Sequence, residues 1–290
     1  MKYSLILPAF LAAAALASFH YDVEMKLEKA YSVDSLGACQ GISYQGGRVF
    51  LYGDREIGVI REYAIHDDSL VYLNREMKLT MNDTDVINHP TGIACNGKDP
   101  VFIGNSIRLN AEGSLWRAVI YRVDWDGLQK TGKLDGNLLN TIEDDACIQG
   151  TRPEYVQYDQ KSYVATADYG GKNNEVRLYD PAALAKAKKT SEKGVVYKKF
   201  SCSPWVQNLK WIADKGLLVL IQNQIEGRRW RFTYVDLAKS ISSGKEEVVK
   251  VIDIDRADEL EGFTFLGADS KGIAVSSSRK NNVNTMSIAW

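Results

Sequence analysis

The stretch Cys39–Tyr63, CQGISYQGGRVFLYGDREIGVIREY, decides the fold. It divides into three short, mainly apolar segments separated by polar turns at Gln45-Gly46-Gly47 and at Asp54–Ile57. Apolar and polar residues alternate in the first of these segments, as they do in a strand with one packed face. The stretch therefore predicts three consecutive antiparallel strands.

The same unit occurs five times along the chain. Each copy begins with a polar residue, usually followed by a small one, with apolar residues two and four places on. The five starting segments are Gln40–Tyr44, Thr91–Cys95, Glu154–Tyr158, Gln207–Trp211 and Glu261–Phe265. Fourth strands are predicted at Leu70–Leu79, Gly194–Phe200 and Glu247–Ile254, with a weaker signal at Leu134–Ile142. Two connectors, Asp180–Ser191 and Asp236–Gly244, have a helical pattern.

Four antiparallel strands repeated about every 50 residues indicate a β-propeller. The fifth copy ends at Trp290 after three strands, and one unassigned strand, Asp22–Tyr31, precedes the first copy. We expect this N-terminal strand to complete the last blade, which closes an all-β, five-bladed ring and removes a free sheet edge. Six blades are the alternative, but they require a further start between Thr91 and Glu154, and the sequence shows none.

Composition and the first residues bear on partners and location. The 290-residue chain has 36 basic and 37 acidic side chains, so it has no excess positive charge for binding nucleic acid. Its start resembles a secretory signal peptide, with Lys2, an apolar run over residues 5–15 that is too short to span a membrane, and the A-x-A site Ala15–Ala17. We expect a signal peptide over residues 1–17, a single domain over 18–290, and a secreted or periplasmic protein. The oligomeric state stays open.

Four cysteines, Cys39, Cys95, Cys147 and Cys202, would be permitted to form disulfides in an exported protein. Cys147 and Cys202 precede the starts of the third and fourth copies by seven and five residues, so they are the best candidates for a pair. Cys39 and Cys95 fall at opposite ends of their strands and are expected to be free. Because the chain has no C-x-x-C motif, it contains neither a zinc ribbon nor a thioredoxin-like site.

In a propeller, the start of each first strand and the end of each second strand surround the mouth of the central channel. All ten of these positions are polar in this chain. The first-strand ring is Gln40, Thr91 (with His89 just before it), Glu154, Gln207 and Glu261, and the second-strand ring is Asp54, Asn105, Asp168, Gln222 and Ser277. We expect these residues to converge on one polar surface.

Four members of the two rings are acids: Asp54, Glu154, Asp168 and Glu261. Crowded carboxylates bind a cation, share protons or accept hydrogen bonds. Mixed with amide oxygens, they suit a hard cation such as Ca²⁺. We predict a calcium site formed by these acids, with Glu154 and Asp168 as the catalytic candidates, because an acid left off the metal would serve as general base. The alternative is that the ring only hydrogen-bonds neighbouring blades and holds water.

Basic residues are concentrated in or beside the loops between second and third strands: Arg55, Arg108, Arg117, Lys172, Arg228, Arg229, Arg279 and Lys280. A basic rim above an acidic floor suits an anionic substrate, and ordinary solvated loop charge is the alternative. The longest of these loops, Ser106–Trp116, either brings Trp116 over the pocket or packs it between blades. The predicted substrate contacts are Gln40, His89, Thr91, Asn105, Gln207, Gln222, Arg55, Trp116 and Arg279.

The strand opening Glu261-Gly262-Phe263 resembles the blade starts of gluconolactonase-like and phosphotriesterase-like propellers, and with the five-repeat count it also resembles calcium-activated nucleotidases. This resemblance implies a channel cation, with Glu261 as a ligand and Glu154 and Asp168 as the next candidates. The stretches His89–Ile93 and Val119–Val123 are most similar to uncharacterised exported bacterial propellers, a likeness that implies no activity. Five-bladed glycoside hydrolases are disfavoured, because they have acids at their first three starts.

Two functions follow as expectations. The first is a divalent-cation-dependent hydrolase of a small anionic substrate, either a lactone or a phosphoester. The second is a non-catalytic propeller whose same face binds a small ligand or a protein or peptide partner, with Trp116 and the basic rim as anchors.

Overall fold

Five antiparallel sheets of four strands each form a five-bladed β-propeller, which confirms the predicted fold class and excludes the six-bladed alternative. The computed structural model describes residues 22–147, 150–223, 229–267 and 270–290. The predicted signal peptide lies outside these ranges. Within them, no helix is both long enough and apolar enough to cross a lipid bilayer.

The strands of the first two blades and of a small added hairpin come first along the chain. They are β1 Glu24–Tyr31, β2 Cys39–Gln45, β3 Arg48–Asp54, β4 Gly58–His66, β5 Ser69–Lys78, β6 Thr80–Met81, β7 Thr84–Asp85, β8 Pro90–Ala94, β9 Val101–Arg108, β10 Trp116–Val123 and β11 Leu138–Glu143. The other blades are built from β12 Glu154–Tyr158, β13 Lys161–Ala167, β14 Glu175–Tyr179, β15 Val196–Ser201, β16 Val206–Ile212, β17 Leu217–Asn223, β18 Trp230–Asp236, β19 Val248–Ile254, β20 Leu260–Phe265, β21 Lys271–Ser276 and β22 Val283–Ala289.

Each blade runs from an inner to an outer strand. The orders are β2-β3-β4-β5, β8-β9-β10-β11, β12-β13-β14-β15, β16-β17-β18-β19 and β20-β21-β22-β1, and β6 and β7 pair separately. Inner strands of neighbouring blades contact one another around the axis. Strand β1 pairs with β22 from Glu24 opposite Ala289 to Tyr31 opposite Val283, so the N-terminal strand closes the last blade as predicted.

Burial explains the change of sequence pattern from inner to outer strands. The second strands are apolar on both faces because they are packed between neighbouring blades; β17 is buried at every position except its last. The fourth strands are the most exposed, and β19 contains no buried residue. Aromatic side chains fill the spaces between blades, as where Phe232 meets Phe263 edge-to-face with ring centroids 5.4 Å apart.

Three short helices follow third strands: α1 Trp125–Thr131, α2 Pro181–Leu184 and α3 Leu237–Ser243. Each begins after an aspartate whose side chain accepts a backbone N–H of the first turn, namely Asp124, Asp180 and Asp236. The predicted helical connector Asp236–Gly244 is confirmed, whereas in Asp180–Ser191 only Pro181–Leu184 is helical. Helix α1 was not predicted, because its first residue, Trp125, extends the apolar pattern of the preceding strand.

The predicted pairing of Cys147 with Cys202 is wrong, since all four cysteines are free thiols. Cys147 Sγ lies 3.5 Å from Arg177 Nη1, whereas Cys202 packs against the core cluster that contains Val176. Arg177 and Val176 are adjacent in β14, and successive side chains of a strand point to opposite faces. The two cysteines therefore lie on opposite faces of the third blade.

Candidate functional site at the channel mouth

A one-residue bulge marks the start of the first strand in four blades. The ladder between first and second strands skips one residue in each case, and the skipped residues are Gln40, Thr91, Gln207 and Glu261. A bulge takes the extra residue out of regular pairing and redirects its side chain. The four bulges place these predicted ring residues at equivalent positions.

One backbone hydrogen bond recurs beside these bulges. The N–H at the end of the second strand donates to the carbonyl oxygen two residues before the bulge. The four bonds are Asp54 N to Ala38 O (3.2 Å), Ser106 N to His89 O (3.4 Å), Asn223 N to Trp205 O (3.3 Å) and Ser277 N to Glu259 O (3.0 Å). Ser106 and Asn223, each one residue after the predicted Asn105 and Gln222, are therefore the equivalents of Asp54.

The third blade has a different register from the predicted one. Glu154 pairs with the residue three places before Asp168, and the corresponding position in the first blade pairs with Ile42. Glu154 is thus the equivalent of Ile42, and Arg152, two residues earlier, is the equivalent of Gln40. The ring member of this blade is a guanidinium rather than a carboxylate.

The two rings enclose a cavity of about 290 Å³. Several predicted residues line it: Gln40, His89, Trp116, Gln207, Glu261 and Ser277. Further lining residues that sequence reasoning did not propose as site residues are Ala38, Ser106, Gly150, Arg152, Tyr169 and Glu259. Four of the lining residues lie two places before a first-strand ring residue: Ala38, His89, Gly150 and Glu259. This spacing recurs in four of the five sequence repeats, so the repeat contains a signal for a third ring of lining residues.

Arg152 is the most unusual side chain in the cavity wall, because it is a charged group with only 3% exposure. Its Nε and Nη2 donate to the backbone and side-chain oxygens of Gln207, both at 3.2 Å, and its Nη1 donates to Ser106 Oγ at 3.3 Å. The guanidinium also lies over the Tyr169 ring, 5.0 Å from its centroid. All of these partners are neutral.

Among the residues that the structure describes, no carboxylate forms a direct ion pair with Arg152, although Glu261 and Asp168 lie near enough to favour its charged form. Burial lowers the pKa of Arg152, but a guanidinium stays protonated at neutral pH. The cavity wall therefore contains a buried positive charge whose described hydrogen-bond partners are all neutral.

Gly150 makes room for this guanidinium. Its φ is +72°, and a Cβ placed on it would lie 2.0 Å from Arg152 Nη1 and 2.5 Å from Ser106 Oγ. Both the backbone conformation and the close approach require glycine here.

Two glutamates form another part of the wall. Glu259 accepts hydrogen bonds on Oε1 from the side-chain amides of Gln207 (2.9 Å) and Asn223 (3.0 Å). Glu261 is only 4% exposed. Burial, and then the Glu259 carboxylate, raise the pKa of Glu261 well above its usual range, so it favours the protonated form. Burial raises the pKa of Tyr169 to about 12, with Glu259 as the next cause.

Asp54 lies at the edge of the cavity, between the first two blades. Its Oδ1 accepts the backbone N–H of Ala38 (2.9 Å), and its Oδ2 accepts Gln40 Nε2 (3.3 Å) and lies 3.4 Å from His89 Nδ1. Polar contacts thus link successive blades around the mouth. Asp54 of the first blade contacts His89 of the second, and Arg152 of the third blade contacts Ser106 of the second and Gln207 of the fourth. Gln207 in turn contacts Glu259, at the start of the fifth blade.

Tyr52 forms a hydrogen bond between two blades on different sides of the channel. Its hydroxyl accepts a hydrogen bond from Asn208 Nδ2 at 2.9 Å. Tyr52 belongs to the first blade and Asn208 to the fourth, which are not neighbours in the ring, so this bond crosses the axis. Gly41 permits the crossing, since a Cβ on it would lie 2.3 Å from the Tyr52 ring.

The predicted calcium ligands are not brought together. Glu154 accepts Lys210 Nζ at 3.0 Å and Asp168 accepts Arg177 Nη1 at 3.0 Å, so each carboxylate has a cationic partner. Over residues 22–147, 150–223, 229–267 and 270–290, no three His, Cys, Asp or Glu side chains form a group suited to a metal ion. Two of the four predicted ligands are therefore paired with cationic side chains, and the calcium site and the catalytic roles of Glu154 and Asp168 stay predictions.

Other predicted contacts lie away from the cavity. Thr91, Asn105 and Gln222 are buried and make internal hydrogen bonds: Thr91 Oγ1 donates to Thr151 O, Asn105 Oδ1 accepts His89 N (2.9 Å), and Gln222 Nε2 donates to Pro204 O (2.8 Å). Arg55 and Arg279 line a separate cleft, where Arg55 pairs with Glu76 at 3.1 Å. Arg228, part of the predicted basic rim, lies outside the described residues.

Comparison of the sequence with protein-family models and with curated proteins finds no match. The propeller fold is therefore established by the strand topology, and the site has to be interpreted from its own chemistry.

Proposed function

We propose that the channel mouth binds a small molecule through an anionic group, a carboxylate or a phosphate, held by Arg152. The observation that carries this proposal is the buried guanidinium whose described partners are all neutral. A buried charge without a counter-charge costs several kcal/mol. A bound anion would supply the missing counter-charge.

The hydrogen-bond count of Arg152 supports the same interpretation. A guanidinium has five N–H donors, and the three described bonds use one on Nε, one on Nη1 and one on Nη2. Within the part of the chain that the structure describes, one N–H on each terminal nitrogen is left for another acceptor. An arginine with donors on both terminal nitrogens can donate to the two oxygens of a carboxylate or phosphate.

The direct test is calorimetry and thermal shift with acetate, L-lactate, succinate and inorganic phosphate as probes. We expect at least one probe to bind with one-to-one stoichiometry and to raise the Tm of the protein. Binding should weaken only modestly with added NaCl, because a buried pair is screened less than a surface pair. If no probe binds at millimolar concentration, the proposal is wrong.

Hydrolysis is a second candidate function, and the observation that favours it is Glu261. A buried carboxyl with a raised pKa is a suitable general acid beside a bound ester or lactone. Turnover of a simple lactone and of p-nitrophenyl phosphate, with and without Ca²⁺, separates this candidate from binding alone. Turnover that is abolished in Glu261→Gln would favour an enzyme, and turnover at the background rate would favour a binding protein.

The remaining expectations have less support from the site. Joint binding of a peptide partner by Trp116 and Arg279 is less well supported, because Trp116 lines the cavity and Arg279 lies in the separate cleft. Secretion or export to the periplasm stays a proposal that rests on residues 1–17 alone.

Gly150→Ala is expected to weaken binding of the best anionic probe about tenfold, or ~1.4 kcal/mol. The added methyl group would displace the Arg152 guanidinium, whose Nη1 would lie 2.0 Å from it. Gly136→Ala is the matched control, because Gly136 has nearly the same φ, +74°, with nothing within 4 Å of the added atom. Both variants carry the backbone strain, so equal affinities in the two would contradict the role of Gly150.

Glu261→Gln is expected to change how stability depends on pH. A carboxyl whose pKa is higher in the folded chain than in the unfolded chain stabilises the fold below its unfolded pKa, about 4.3 for Glu. That contribution is lost as pH rises through the folded pKa. As pH rises from 4 to 9, the Tm of wild type should therefore fall more than the Tm of Glu261→Gln. The expected difference is at least about 2–4 °C.

The control for this measurement is Glu56→Gln, which removes an exposed carboxylate from a loop on the same face. Its Tm should run parallel to that of wild type across the same pH range. A parallel curve for Glu261→Gln as well would show that Glu261 titrates normally.

A further inference from the structure

We infer that the ligand of the channel mouth is a small zwitterion, an α-amino acid, with its carboxylate on Arg152 and its ammonium group on the wall formed by Glu259 and Glu261. This inference rests on the proposed anion site and names its ligand class. It follows from charge, spacing and size.

The charges of the cavity wall are of both signs. Arg152 has neutral hydrogen-bonding partners, and Glu259 is likewise held by two neutral amides, from Gln207 and Asn223. Both amide bonds end on Oε1 of Glu259, and Tyr169 also interacts with this carboxylate. Because a carboxylate has about four lone-pair sites, Glu259 keeps acceptor capacity for another donor. A ligand with negative charge alone would satisfy Arg152 but would be repelled by Glu259. A zwitterion complements both.

Gln207 sets the spacing between the two charges. Its Oε1 accepts from Arg152 at 3.2 Å, and its Nε2 donates to Glu259 at 2.9 Å. With ~2.2 Å between the oxygen and nitrogen of the amide, the guanidinium nitrogen and the carboxylate oxygen are at most about 8 Å apart. An α-amino acid has about 3 Å between carboxylate oxygen and amino nitrogen. Adding a charge-assisted hydrogen bond of about 2.8 Å at each end of the amino acid gives a length similar to the distance between the guanidinium nitrogen and the carboxylate oxygen.

The size of the cavity limits the side chain. A volume of about 290 Å³ corresponds to roughly ten water molecules at ~30 Å³ each. A ligand of about ten non-hydrogen atoms or fewer therefore fits, which includes leucine but not a dipeptide of large residues. Trp116 and Tyr169 give the wall apolar surface for such a side chain.

The test uses ligands that differ by one charged group. A thermal-shift screen of the twenty amino acids first identifies the preferred side chain. For leucine, the matched set is L-leucine, 4-methylpentanoate, which lacks the ammonium group, and 3-methylbutylamine, which lacks the carboxylate. We expect calorimetry on the whole protein to show the zwitterion binding at least tenfold more tightly than either analogue.

Two variants locate the effect. Glu259→Gln keeps an acceptor for Gln207 and Asn223 but removes the negative charge, so it should reduce affinity for the amino acid to that for the deaminated acid. Glu56→Gln, an exposed carboxylate outside the cavity, should leave the tenfold preference intact.

The possible failures are distinguishable. If the deaminated acid binds wild type as tightly as the amino acid, the zwitterion inference is overturned and the Arg152 anion site stands. If neither the amino acids nor the carboxylate and phosphate probes bind, the proposed function falls and this inference falls with it. A preference that survives in Glu259→Gln would also overturn the assigned position of the ammonium group.

Discussion

Arg152→Gln is expected to reduce affinity for the best anionic probe at least about 100-fold. Two charge-assisted hydrogen bonds to the anion would be lost, each worth roughly 1.5–3 kcal/mol. Without a ligand, the variant should have a Tm equal to or above that of wild type, because removing an unpaired buried charge relieves its desolvation cost. Glutamine also retains groups that can hydrogen-bond Ser106 and Gln207.

Two further variants define the result. Arg152→Lys keeps the charge but loses the planar pair of donors, so its affinity should fall between those of wild type and Arg152→Gln. Arg48→Gln removes an exposed arginine at the opposite end of β3 from Asp54 and should leave affinity unchanged. Retained affinity in Arg152→Gln would place the anion elsewhere. A large fall in Tm would instead show that Arg152 serves mainly to hold the blades together.

Removing β1 is expected to eliminate most of the stability of the propeller, which for a domain is about 5–15 kcal/mol. A chain beginning at Val33 lacks the outer strand of the fifth blade and leaves β22 as a free edge. It also loses Val23, which is fully buried, and the partly buried Met25 and Leu27, all packed against the core around Trp230. Circular dichroism and thermal unfolding should show no cooperative transition at 25 °C or above.

A circular permutant provides the control for this deletion. Because Glu24 lies opposite Ala289, a short turn from Trp290 to Asp22 would place the same strand at the other end of the chain. The permutant that begins at Val33 and ends with Asp22–Tyr31 should recover cooperative unfolding. A stable deletion variant, or a permutant that fails to fold, would contradict the role of β1 as the closing strand.

The architecture was predictable because the apolar pattern of the second strands and the repeat both depend on local burial. The continuous apolar run in β3 reflects packing on both faces, and this packing recurs in the other second strands. The alternation in Gln40–Tyr44 does not mark an exposed face, because Gln40 and Gly41 are buried as well as Ile42. The last copy lacks a fourth strand and the first strand belongs to no copy, so pairing the two completes the fifth blade. Helix α1 was missed although Asp124 follows its third strand as Asp180 and Asp236 do.

The site was less predictable because it depends on register to a single residue. Glu154–Tyr158 alternates like the other starts, yet the equivalent of Gln40 is Arg152, followed by Pro153 instead of a glycine or asparagine. The exception has a physical cause: Pro153 fits against Gly92 and Gly104, where a Cβ would lie 2.9 Å and 2.5 Å from its Cδ. Contacts between blades set this position, and such contacts are not visible in one repeat.

The cationic partners of Glu154 and Asp168 were also not predictable from the sequence. Lys210 and Arg177 lie 56 residues after Glu154 and nine after Asp168, and nothing in the local pattern indicates that they neutralise those carboxylates. The burial of the Arg152 charge and the raised pKa of Glu261 likewise depend on the closed ring.

The most direct test of the Arg152 anion site is a crystal of the protein soaked in sodium bromide. The account predicts an anomalous bromine peak in the cavity, within about 3.5 Å of Arg152 Nη1 or Nη2, at hydrogen-bonding range for a large anion. Soaking with the tightest-binding carboxylate should remove that peak while peaks at surface lysines remain. Bromide bound only at the surface, with none beside Arg152, would contradict the account.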